Sequence, residues 1–118
     1  MNILFILNDA PNGTGRTLNA LRLACALSMR SSIYVRIFLV GSAILCARRG
    51  HSLHAEQDDA EALIRAVIGH GGDVRICASG TQEGAGDAFG SELLEGATLS
   101  SMAELARWVP EADRLLVF

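Results

Sequence analysis

Apolar positions fall in two alternating patterns along this chain, short unbroken runs and longer stretches with helical spacing. Ile3-Leu4-Phe5-Ile6-Leu7 is an unbroken run closed by Asn8 and Asp9, as in a strand buried on both faces. A Gly-rich turn from Asn8 to Arg16 separates it from a helical stripe through Leu18, Leu21, Cys25 and Leu27. Together they predict the first βα unit of a parallel sheet. The 8–16 loop then sits at the carboxyl end of its strand, where open α/β sheets place their ligands.

The alternation continues. Residues 29–32 punctuate the first helix, and Ile33 to Val40 reads as a second strand rich in β-branched and aromatic residues. Gly41 and Ser42 end it before a short helix over 43–49 that closes at Gly50, and 51–57 is polar and irregular. Asp58 or Asp59 starts the next helix, with Leu63 and Val67 on its buried stripe, and Gly69-His70-Gly71-Gly72 stops it. Residues 73–77 form a third strand, followed by a Gly-rich stretch over 78–90, a helical turn over 91–96 and a fourth strand over 97–99. Ser101 and Glu104 have capping-box spacing, and Pro110 halts the helix they open. Residues 115–118 are expected to be a final buried strand. Such alternation predicts one α/β domain over 1–118, a doubly wound parallel sheet with helices on both faces.

Composition narrows the function classes. Half of the 118 residues are apolar and only 5% aromatic, so the core is aliphatic. A net charge of −3 leaves no footprint for nucleic acid or an anionic membrane, so partners are expected to be proteins or small molecules. The opening run lacks a basic flank and is too short for a signal peptide or a span, which makes a cytoplasmic location the expectation. Cys25, Cys46 and Cys77 are odd in number with no CxxC pair, against a disulfide framework.

Candidate chemistry is sparse. The turn at Gly13-Thr14-Gly15-Arg16-Thr17 resembles a phosphate loop, but a Walker pattern needs glycine at Ala10 and lysine at Arg16, and a dinucleotide fingerprint needs glycine at Leu18. A lined pocket is the better role, with Asn8, Asp9, Gly13, Thr14, Arg16 and Gly41 beside Cys77 if the strands run 2-1-3-4-5. His51 and His54 near Cys46 lack the spacing of a metal site, and neither metal nor cofactor is expected. Cys25 belongs to an apolar stripe, and Cys46 is a second thiol candidate. Met102 and Trp108 read as one helical face, in the core or at a subunit interface.

One resemblance covers nearly the whole chain. Ile3 to Asp9, Gly13-Thr14, Asn19 to Ala24, Val35 to Gly41, Glu95-Gly96, Ser101-Met102, Glu104-Leu105-Ala106, Trp108 and Ala112 to Phe118 resemble, in that order, the DsrE/DsrF-like (YchN-like) family. The resemblance implies a flavodoxin-like α/β/α sandwich of about five strands and a homo-oligomer, trimer or hexamer. It also implies persulfide chemistry on Cys77, with a protein sulfur donor or acceptor. Many relatives continue Cys-Gly-Thr-Cys and then Ala-Arg-Gly; here Ala78-Ser79-Gly80 follows Cys77, and the loop carries Glu83 and Asp87. With Gly80 in place of the second cysteine, a dithiol mechanism at this site is excluded. Two readings remain: a single-cysteine sulfur carrier, or an oligomeric binding module that keeps the fold without the thiol chemistry.

Overall fold

The computed structural model describes residues 1–11, 15–49, 59–77 and 93–118. Five strands, β1 (Asn2–Leu7), β2 (Tyr34–Leu39), β3 (Asp73–Cys77), β4 (Ala97–Ser100) and β5 (Arg114–Val117), form one sheet in which every pair is parallel. Helices α1 (Arg16–Ser28), α2 (Ala60–Gly69) and α3 (Met102–Glu111), with a 3-10 helix at Gly41–Ala47, connect them. The strand order is β4-β3-β2-β1-β5, which corrects the expected 2-1-3-4-5. After β1 the chain steps outward through β2, β3 and β4. It then crosses back through α3 to place β5 on the free side of β1, so the reversal of direction falls between β1 and β5.

Alternation along the inner strands divides the core. Ile3, Phe5, Leu7, Val35, Ile37, Leu39, Val74 and Ile76 meet Ala20, Leu21, Ala24, Leu63, Ile64 and Val67 of α1 and α2. The opposite face carries Leu4, Phe38 and Cys77 under Leu105 and Trp108 of α3. These are the layers of an α/β/α sandwich, unequally covered. Each fully buried Leu, Ile or Phe contributes about 1.5–3 kcal/mol of apolar burial, so the α1/α2 side dominates stability.

Local sequence accounts for the helix ends. The Asp59 side chain accepts from the Ala62 amide at 2.7 Å and caps α2. Beyond the His70 cap, the Gly71 amide donates to Ile68 O and the Gly72 amide to Val67 O, a Schellman ending that needs the positive φ of Gly71, 94°. A Cβ on Gly72 would lie 2.6 Å from Val67 Cγ1 and 2.9 Å from Val67 O. The Ser101 side chain caps α3 by accepting from the Glu104 amide.

Several expectations are corrected. Helix α3 runs through Pro110 to Glu111, because a proline in the last turn forfeits a single backbone bond. The segment after β2 is a 3-10 helix over 41–47, not a short helix over 43–49. Met102 is 51% exposed, and the residues that α3 buries are Leu105 and Trp108, one helical turn apart. Strand β5 lies at an edge, with Leu115 43% and Val117 61% exposed, where a buried strand is predicted. Expectations for Asn12, Gly13, Thr14, the 51–57 segment with His51 and His54, and the 78–90 stretch with Gly80, Glu83 and Asp87 lie outside the described residues. Among the described residues no helix is long and apolar enough to cross a membrane.

Candidate functional site

At the carboxyl end of the sheet, β1 passes into the loop through polar bonds to both of its neighbours. The Asn8 amide and its Nδ2 both donate to Phe118 O, at 3.1 and 2.9 Å. Ser42 Oγ donates to Asn8 O at 3.3 Å, just past Gly41, whose φ of 56° suits glycine. Thr17 Oγ1 donates to Asp9 O at 2.8 Å, and Arg16 Nε lies 3.7 Å from Asp9 Oδ2. Asn8, Asp9, Arg16 and Gly41 are therefore gathered at one edge, while Gly13 and Thr14 lie outside the described residues. Buried Thr17, which fastens this loop to α1, carries no motif that could have singled it out.

Cys77 ends β3 on the α3 side of the sheet, 1% exposed, packed with Leu4, Phe38, Leu105 and Trp108. Strand β2 lies between β3 and β1. Two strand spacings, about 9–10 Å, thus separate the Cys77 position from the loop that the order 2-1-3-4-5 would have set beside it. One place beyond the Leu39–Ile76 pair, Val40 comes alongside Cys77, and on the other side Cys77 pairs with Ser100. Among the described residues, the thiol packs with apolar side chains and its residue pairs in register with Ser100 of β4.

The other thiols differ. Cys46 is buried in the core under α1 and α2, and burial pushes its thiol up to about 12, far from thiolate at neutral pH. Cys25 is half-buried against the same core, and none of the three cysteines is in a disulfide. Among the described residues no three His, Cys, Asp or Glu side chains are grouped as a metal site would require.

A charged cluster beside Cys77 holds α3 down. The guanidinium carbons of Arg36 and Arg75 lie 4.7 and 5.1 Å from the Trp108 ring centroid, and Phe38 meets Trp108 edge-on at 5.8 Å. Arg36 Nη1 donates to Glu111 Oε1 at 3.0 Å; Arg75 binds Asp73 at 2.9 Å through Nε and Glu104 through Nη1. Ser100 Oγ also donates to Glu104. That hydroxyl, and then Arg75, hold the Glu104 carboxyl below its ordinary range. Sequence reasoning missed this cluster because its residues are scattered over three strands and a helix; the period-two placement of Arg36 before Phe38 and Arg75 before Cys77 was the available signal.

The DsrE/DsrF-like family model matches residues 1–118. The chain belongs to the DsrE/DsrF-like family. It is 30% identical to the protein YchN of Escherichia coli K12 over 117 residues, covering 98% of this chain and 97% of that protein. An uncharacterized protein of Methanopyrus kandleri is 28% identical over 116 residues, covering 98% and 93%. The crystal structure of E. coli YchN superposes with a TM-score of 0.87 at 28% identity, covering 100% of this chain and 99% of that one. A protein of unknown function from Methanobacterium thermoautotrophicum, with a TM-score of 0.73 and 16% identity over 99% of this chain and 98% of that one, shares the fold. The DsrE/DsrF-like chain thus places Cys77 at the carboxyl end of an interior strand, on the sheet face that α3 covers.

Proposed function

We propose that this protein handles sulfane sulfur, taking it as a persulfide on Cys77 and passing it to an acceptor thiol. The observation that carries the reading is the place of Cys77, ending an interior strand of a DsrE/DsrF-like sheet beside the hydroxyl-bearing end of β4. In loading, the Cys77 thiolate attacks the terminal sulfur of a donor persulfide. A Cys77–sulfur bond forms, the donor's S–S bond breaks, and the donor leaves as a thiolate that takes up a proton. Delivery is the same exchange in reverse, with no net oxidation. One thiol suffices, consistent with glycine at position 80. Cys46, deep in the other layer and held protonated, is a poor second candidate.

The reading includes self-association into a homo-oligomer and a protein as sulfur donor or acceptor. Support for the oligomer comes from β5, whose Leu115 and Val117 stand exposed on the sheet face beside half-buried Ile6. A second reading, a binding module that keeps the fold without the chemistry, is favoured by the burial of Cys77 in an apolar cluster. Intact mass after incubating reduced protein with glutathione persulfide separates the two. Sulfur handling predicts a gain of one sulfur in the wild type and in Cys46→Ser, and none in Cys77→Ser; no gain in any of the three selects the binding module.

A further inference from the structure

We propose that α3 is an ion-pair-latched cover over Cys77, which must lift for a sulfur donor or any other thiol reagent to reach it. The inference rests on the sulfur-handling reading for its purpose but not for its geometry. Two of the four buried side chains that cluster with Cys77, Leu105 and Trp108, come from α3, and they are the only residues that this helix buries. By contrast α1 and α2 are fastened by five and four buried residues.

What holds α3 down is largely polar. Glu104, Trp108 and Glu111 follow one another at helical spacing along its inner side, and Arg75 and Arg36 of the sheet receive them. Glu104 engages Arg75 and Ser100 near the first turn, Glu111 engages Arg36 in the last, and both guanidiniums lie against the indole between. The arrangement is a clasp at each end with a tryptophan in the middle. These side chains are partly exposed, Arg36 20%, Arg75 27% and Glu111 55%, so the pairs are open to water and salt. Closure is also imperfect, because Arg36 Nε is buried without a hydrogen-bond partner. Pro110 removes one backbone bond from the last turn of the same helix. A segment with few buried apolar contacts and solvent-exposed polar ties is the kind that opens locally, well below the free energy of global unfolding.

The test is the rate at which N-ethylmaleimide modifies each cysteine of the folded, reduced protein at pH 7, read by peptide mass. Cys46, in the other layer, reports global unfolding. The latch predicts that Cys77 reacts faster than Cys46. In Glu104→Gln/Glu111→Gln its rate rises about fivefold, the effect of losing two exposed ion pairs, and in both proteins urea below the unfolding transition speeds Cys46 far more steeply than Cys77, because lifting one helix exposes much less surface than global unfolding. Added salt raises the Cys77 rate in the wild type and much less in the double variant. Equal rates at Cys77 in the two proteins, or a urea dependence at Cys77 as steep as at Cys46, would overturn the proposal. The outcome is independent of sulfur transfer: latch-controlled labelling without persulfide loading leaves the cover standing and removes the sulfur reading, and loading that ignores both substitutions and salt does the reverse.

Discussion

Gly72 shows how far a single residue constrains this chain. Its missing Cβ lets the chain leave α2 and enter β3 against Val67 and the Val35 carbonyl, and two of the three nearest atoms are backbone, which cannot rotate away. Gly72→Ala is expected to cost about 2–3 kcal/mol, read as a lower urea midpoint with an unchanged slope. Glu104 supplies a pH prediction at the same scale. Its folded carboxyl titrates below the unfolded one, chiefly through the Ser100 hydroxyl and then Arg75. Its contribution is therefore present above the unfolded value of about 4.3 and is lost as pH falls through the folded value. Wild type is expected to be more stable than Glu104→Gln at pH 7, with the difference vanishing in acid melts below that range; a constant difference across pH would contradict it. The sequence announces Gly72 only as one of four stop residues, because the clash that requires it, with Val67 Cγ1 and O and with Val35 O, exists only once the chain has turned back from α2 into β3.

Helix α3 is the element on which site and stability meet. Trp108→Ala removes a buried indole from between two guanidiniums and the edge of Phe38, an expected loss of about 3–5 kcal/mol. Hydrogen exchange should quicken first in α3, leaving α1 and α2 protected. Uniform quickening would mean that the two layers do not open separately. The helix was legible in outline, since Ser101 with Glu104 marks its start and both residues act there. Its inner face was not. Reading Met102 with Trp108 mistook a six-residue interval for a helical repeat, whereas Leu105 and Trp108, three apart, are the pair that faces the sheet. The capping-box spacing makes Glu104 half of a reciprocal cap, but its carboxylate turns to Arg75 and Ser100, partners that only the assembled sheet brings near.

For the whole molecule, patterning sufficed for five parallel strands, their rough bounds and layers on both faces, because alternation along the chain records burial directly. Strand order left no such record. The helical pattern over 102–111 does not distinguish a crossing back from a further step outward, and the return through α3 is what puts β5 against β1. The misplaced order put Cys77 beside the Asn8 to Arg16 loop, when Val40 and Ser100 are its lateral neighbours. The same return leaves Leu115 and Val117 at an edge with much of their surface exposed. The proposed oligomer predicts that wild type sediments as a multiple of its chain mass and that Leu115→Glu/Val117→Glu sediments as a smaller species with the fold intact. An unchanged mass would move the interface elsewhere.

Cys77 is the sulfur-bearing residue of the proposed function. The most direct measurement is peptide mapping of the wild-type protein after loading from glutathione persulfide, with the persulfide trapped by alkylation. One added sulfur confined to the peptide containing Cys77, with none on those containing Cys25 or Cys46, is the predicted result. Sulfur absent from that peptide, or found on Cys25 while Cys77 stays unmodified, would contradict it.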